Sequence, residues 1–113
     1  MLNQIVLVGR LVEDLKLEEL ENGKKITNLI LAIPRNFKNA DGEYDTDFIE
    51  CVLWNGIAEN ATEYCKKGDI VGIRGRLENN SFENEDGSKV YKAQVIAEKV
   101  TFLSSKKEEE KGE

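Results

Sequence analysis

Between Gln4 and Leu103 the apolar positions fall mostly at the two-residue spacing of extended strands, with one helical interruption. Gln4 to Val12 is apolar on both parities, Ile5, Leu7 and Leu11 against Val6, Val8 and Val12, which predicts a strand covered on both sides. Gly9 breaks that run where a bend or a close backbone approach is expected, and Arg10, its only charge, must reach an edge or a ligand. Asn22-Gly23 predicts a two-residue hairpin turn. Lys25 to Arg35 follows as a second strand with Thr27, Leu29, Leu31 and Ile33 on one face, and Pro34, which cannot donate to a ladder, marks its end or an unpaired edge.

A polar loop holding Asp41-Gly42 leads to a third strand, Thr46 to Asn55. Beyond it Ile57, Ala61, Tyr64 and Cys65 recur at helical spacing, with Lys66 and Lys67 expected in the last turn and Gly68 as the stop. Ile70 to Glu78 reads as a fourth strand, with Val71, Ile73 and Leu77 on one face and Arg74 and Arg76 on the other. Asp86-Gly87 turns a second long hairpin with Phe82 on its rising arm, and Val90 to Leu103 closes the domain, Phe102 being assigned to the core.

The third strand is anomalous. Ile49, Cys51 and Leu53 make an ordinary aliphatic face, but the opposite face carries Phe48, Glu50, Val52 and Trp54, where small polar groups are usual. Phe48 and Trp54 would stand roughly 20 Å apart along one strand. Such rings commonly pack under a helix or a neighbouring subunit. A row of exposed aromatics would instead offer a stacking platform for an extended single-stranded nucleic acid, held without being read because every base has a π-face.

Composition narrows the classes. One hundred and thirteen residues make one domain, 40% hydrophobic and 34% charged, and no apolar run has the length of a membrane span. The start reads as a first strand and not as a signal peptide, so a cytoplasmic, nucleoid-associated location is expected. Histidine is absent, which removes the commonest general base and every His-containing zinc site. There is no phosphate loop, the carboxylates lie in solvated runs, and Cys51 and Cys65 read as small buried hydrophobes. The expectation is a binding protein without catalytic activity, metal or cofactor.

Strand, strand, strand, helix, strand, strand is the order of an OB-fold, an all-β, five-stranded Greek-key barrel with one short helix and long hairpin loops. Quoted in order, the matching elements are Met-Leu-Asn-Gln-Ile-Val-Leu-Val-Gly-Arg-Leu, Asn22-Gly23, Arg35 to Asn39, Asp47 to Trp54, Ala58-Glu59-Asn60, Lys66-Lys67-Gly68, Gly75-Arg76-Leu77 and Glu83 to Gly87. Through them the chain is similar to the bacterial single-stranded DNA-binding proteins over Met1 to Leu103. The resemblance implies a domain over 1–103, a homotetramer, roles in replication, recombination or repair, and base stacking on Phe37, Phe48, Trp54 and Phe82. All four positions are aromatic.

Departures from the pattern shape the rest. Net charge is −6, and Glu18, Asn55 and Asn80 stand where the family usually carries Arg or Lys. The candidates for phosphate pairing are Arg10, Arg35, Arg74 and Arg76, with Lys38 and Lys89 in the hairpins as lesser ones. Binding is therefore expected to lean on stacking more than on ion pairing. Residues 104–113 form a short charged tail, expected to be disordered and without the apolar tip that recruits replication and repair enzymes elsewhere in the family. Two alternatives remain open: an OB-fold adaptor for a protein partner, favoured by the acidic balance, and a carboxylate-dependent enzyme acting on nucleic acid, which would need paired acids such as Asp45 and Asp47 converging on a metal, though these read more simply as strand initiators.

Overall fold

The computed structural model describes residues 1–105, so the expected tail lies from Lys106 onward outside the described residues. The strands are β1 (Ile5–Leu11), β2 (Glu18–Glu19), β3 (Lys25–Lys38), β4 (Tyr44–Trp54), β5 (Ile70–Glu83) and β6 (Lys89–Ser104), with one helix, α1 (Asn55–Tyr64), between β4 and β5. They form one sheet in the order β1-β5-β6-β4-β3-β2, which a further β1–β3 pairing closes into a barrel. All pairings are antiparallel except β4–β6, where Cys51 faces Val95 and Val52 faces Ile96 in parallel. The five long strands form the expected OB-fold barrel, and β2 is an extra strand beside β3, pairing Glu18 with Ile26 and Glu19 with Lys25.

The barrel interior is aliphatic. Leu11, Leu29, Leu31, Cys51, Leu53, Val71 and Ile73 are almost completely buried, joined by Val95 and Ala97 from β6 and by Ala58, Ala61 and Cys65 from the helical segment. Both thiols are free, and burial pushes the Cys51 thiol up to about 11, so it stays protonated and inert at neutral pH. Two glycines let strands approach too closely for any side chain. A Cβ on Gly75 would overlap the Ile96 carbonyl, and one on Gly9 would stand 2.9 Å from the Ala32 oxygen.

Several expectations are corrected. Val6 and Val8 are exposed, so β1 is covered on one side only within this chain. Leu77, on the predicted apolar face of β5, is 45% exposed. Helix α1 ends at Tyr64, whose side chain is exposed, while Ala58 takes the buried place. Lys66 and Lys67 lie beyond the helix, their amides bonded to the Asp69 and Asp14 carboxylates, which draws the chain into a turn. Phe102 is half-exposed beside α1 and not in the core. The turn at Asn22-Gly23 holds three residues, not two: the Gly23 amide donates to the Leu20 oxygen, and Gly23 has positive φ while Asn22 does not. That is a type I turn closed by a left-handed glycine.

Candidate nucleic-acid interface

The one Trp, three Tyr and four Phe of the chain are all outside the core: Trp54 is half-buried and the others are exposed. Aromatics are usually the largest contributors to a core, so a barrel that keeps every one of them outside has another use for them.

On the outer face of β4, Phe48 lies opposite Ala32 of β3, and Ala32 lies opposite Arg10 of β1. The small Ala32 leaves the Phe48 ring 66% exposed. The ring is a wall between two hollows. One, of about 530 Å³, is lined by Arg10, Ala32, Phe48 and Lys67; the other, of about 410 Å³, by Phe48, Glu50, Leu77, Lys92 and Gln94. Further along, Val52 and its neighbour Ile96 are buried, an apolar pair outside the barrel's main core. Trp54 ends the strand opposite Ile26 and occupies the N-cap position of α1. Asn55 follows at φ 50, a left-handed conformation that Asn tolerates, with its Oδ1 accepting from the Lys25 amide at 3.1 Å.

The long hairpins carry further exposed aromatics. β3–β4 carries Phe37 and Tyr44, and β5–β6 carries Phe82 and Tyr91, all more than half exposed. The Lys38 ammonium lies 5.9 Å from the Tyr44 ring centre, and Lys89 lines a shallow hollow with Phe82 and Tyr91. Tyr44 and Tyr91 escaped the sequence reading, as did Lys67. The two tyrosines gave the same signal as Phe82, an aromatic among polar hairpin neighbours.

The four candidate arginines are not equivalent. Arg10 donates from Nη1 to the Gly68 oxygen at 2.7 Å, tying β1 to the turn after α1. Arg35 holds Asp47 with two hydrogen bonds, Nη2 to Oδ1 at 3.0 Å and Nε to Oδ2 at 3.2 Å, and lies 3.9 Å from Asp45. The hydrogen bond from Arg35 holds Asp47 below its ordinary pKa. Arg76 pairs with Glu78 at 2.6 Å and Glu98 at 3.4 Å. Arg74 is exposed and makes no ion pair among the described residues.

Asp45 accepts from Asn39 Nδ2 at 3.0 Å, so both acids of the enzymatic alternative are engaged by hairpin neighbours. Among the described residues no cluster of three or more acidic, Cys or His side chains is arranged to hold a metal.

Residues 2–103 match the sequence profile of the Single-strand binding protein family. The chain is 44% identical over 109 residues to single-stranded DNA-binding protein B of Bacillus subtilis (strain 168), covering 96% of each. It is 43% identical to the single-stranded DNA-binding protein of Halalkalibacterium halodurans, over 99% of this chain and 67% of that protein. With the single-stranded DNA-binding protein of Oceanobacillus iheyensis the identity is 45%, over 94% of this chain and 66% of the other.

Proposed function

The chain belongs to the single-strand binding protein family, and from that premise we propose that it binds and protects single-stranded DNA by stacking bases on Phe37, Phe48, Trp54 and Phe82. The observation that carries this reading is the aromatic-free core beneath an aromatic exterior. An aromatic ring contributes on the order of 1 to 3 kcal/mol for each base it stacks, so four rings supply a large part of the affinity. Phosphates are met by Arg74 and by Arg10, Arg76, Lys38 and Lys89. Two of the arginines already contact protein oxygens, so fewer counterions are released and the salt dependence is shallow. The work is binding, not catalysis, and serves replication, recombination or repair in the cytoplasm. The exposed Val6 and Val8 on β1 support assembly with further copies, a homotetramer in this reading.

The test is titration of Trp54 fluorescence with oligo(dT) and a matched duplex across a salt series. Quenching by the single strand alone, with log affinity falling by few multiples of about 0.7 per decade of salt, supports the proposal. Absence of any response would favour the second reading, a protein-binding adaptor, for which the carboxylate-paired arginines speak.

A further inference from the structure

The β3–β4 ladder runs without a break from Ile26 opposite Trp54 to Pro34 opposite Thr46, then resumes only at Lys38 opposite Tyr44. Arg35, Asn36 and Phe37 on β3 therefore face Asp45 alone on β4, a bulge that begins where Pro34 has no amide to donate. Bulges re-aim side chains, and this one aims a candidate stacking ring. Arg35 makes three contacts here: two cross to β4, the two-point hydrogen bond to Asp47 and the approach to Asp45, and one stays on β3, a guanidinium 5.9 Å from the centre of the Phe37 ring. The planar fork of arginine suits such a combination, because its N–H edge can hold a carboxylate while the cation lies over a ring.

We infer that Arg35 is a positioning residue and not a phosphate ligand: clamped by Asp47, it fixes the bulge and covers one face of Phe37, leaving the other for a base. This rests on the single-strand-binding reading for its consequence, but the clamp itself is a property of the free protein. If Arg35 met phosphate, Asp47 would be its competitor, and removing Asp47 would tighten binding. If Arg35 positions Phe37, removing Asp47 loosens it. The two roles predict opposite signs.

The experiment compares Asp47→Asn, Arg35→Lys and Arg35→Gln with the natural chain, each also in a Phe37→Ala background, by oligo(dT) titration across salt. The clamp predicts that all three weaken binding by up to about fivefold, the span of an exposed ion pair. It also predicts an unchanged salt slope and no effect once Phe37 is gone. Arg35→Lys keeps the charge but loses the fork, so it should behave like Arg35→Gln. Tighter binding by Asp47→Asn, or a slope shallower by about 0.7 in Arg35→Gln, overturns the inference. A second readout needs no DNA. The Arg35 Nε–H resonance should be resolved and ring-shifted in the free protein, and should collapse toward solvent-like values in Asp47→Asn and lose its shift in Phe37→Ala. Failure of the natural chain to bind oligo(dT) would sink the single-strand reading alone, and this resonance would still decide the clamp: a signal indifferent to both substitutions refutes it.

Discussion

The two long hairpins are built alike and held differently. Each turns through the same five-residue pattern, Asn39-Ala40-Asp41-Gly42-Glu43 and Asn84-Glu85-Asp86-Gly87-Ser88. In each the first residue's amide donates to the fifth residue's oxygen, and the glycine's amide donates to the first residue's oxygen. Both glycines are left-handed, at φ +79 and φ +87. Each hairpin has a Phe on the rising arm and a Tyr on the returning one. The β5–β6 arms, however, pair without interruption from Gly75 opposite Ala97 to Glu83 opposite Lys89, whereas the β3–β4 ladder is broken at Pro34. Correspondingly, ion pairs cross β3–β4 beside its Phe, while among the described residues the one that joins β5 to β6 lies at the base, Arg76 to Glu98. An intact ladder orients its side chains through the backbone; a broken one needs side chains to do it.

The largest expected effect breaks the intact ladder. Gly75→Val forces a side chain into the Ile96 carbonyl and should cost about 3 kcal/mol or more, visible as loss of the cooperative thermal transition. Next comes stacking. Phe37→Ala and Phe82→Ala should each lose on the order of 1 to 3 kcal/mol in oligo(dT) affinity. Phe37→Ala should lose the more, by about 0.5 kcal/mol or above, because the clamped ring gives up less freedom on binding. Equal losses would remove the functional meaning of the clamp. The shared turn makes a sharper demand: Gly42→Ala and Gly87→Ala should destabilise equally, by about 1 to 2 kcal/mol, in chemical denaturation.

The smallest effect is set by pH. The hydrogen bond from Arg35 lowers the Asp47 pKa from its ordinary 3.8, so the clamp's contribution is complete above that value and disappears as pH falls through the lower folded one. Melting temperatures compared between pH 5 and 2 should show Asp47→Asn converging on the natural chain at the acid end.

Legibility in the sequence followed the physics of each feature. The alternation of Thr27, Leu29, Leu31 and Ile33 found β3 because that strand has one wet and one dry face, and of the two readings of Gly9, a bend or a close approach, the Ala32 oxygen supports the second. Phe48 stood out because it broke that alternation. Phe37 and Phe82 gave a weaker signal, aromatics among polar hairpin neighbours, and their stacking role was an expectation that came from the resemblance. The exposure of Leu77 and the burial of Val52, whose neighbour across the parallel seam is Ile96, depend on other strands and are not written locally. The pairing of Arg35 with Asp47 was equally hidden. Their twelve-residue separation becomes contact only through a register that the two strands settle together.

The barrel closes through very little. Among the described residues the paired positions of β4 and β6 are Cys51–Val95 and Val52–Ile96, and those of β1 and β3 are Arg10–Ala32 and Leu11–Leu31, continued by the Val12 amide to the Ile30 oxygen, so two zipped half-shells share two short seams. Phe37, Phe48 and Trp54 ride on one shell and Phe82 on the other. A strand stacked on all four rings, as proposed, would bridge the two shells and so brace the barrel against opening.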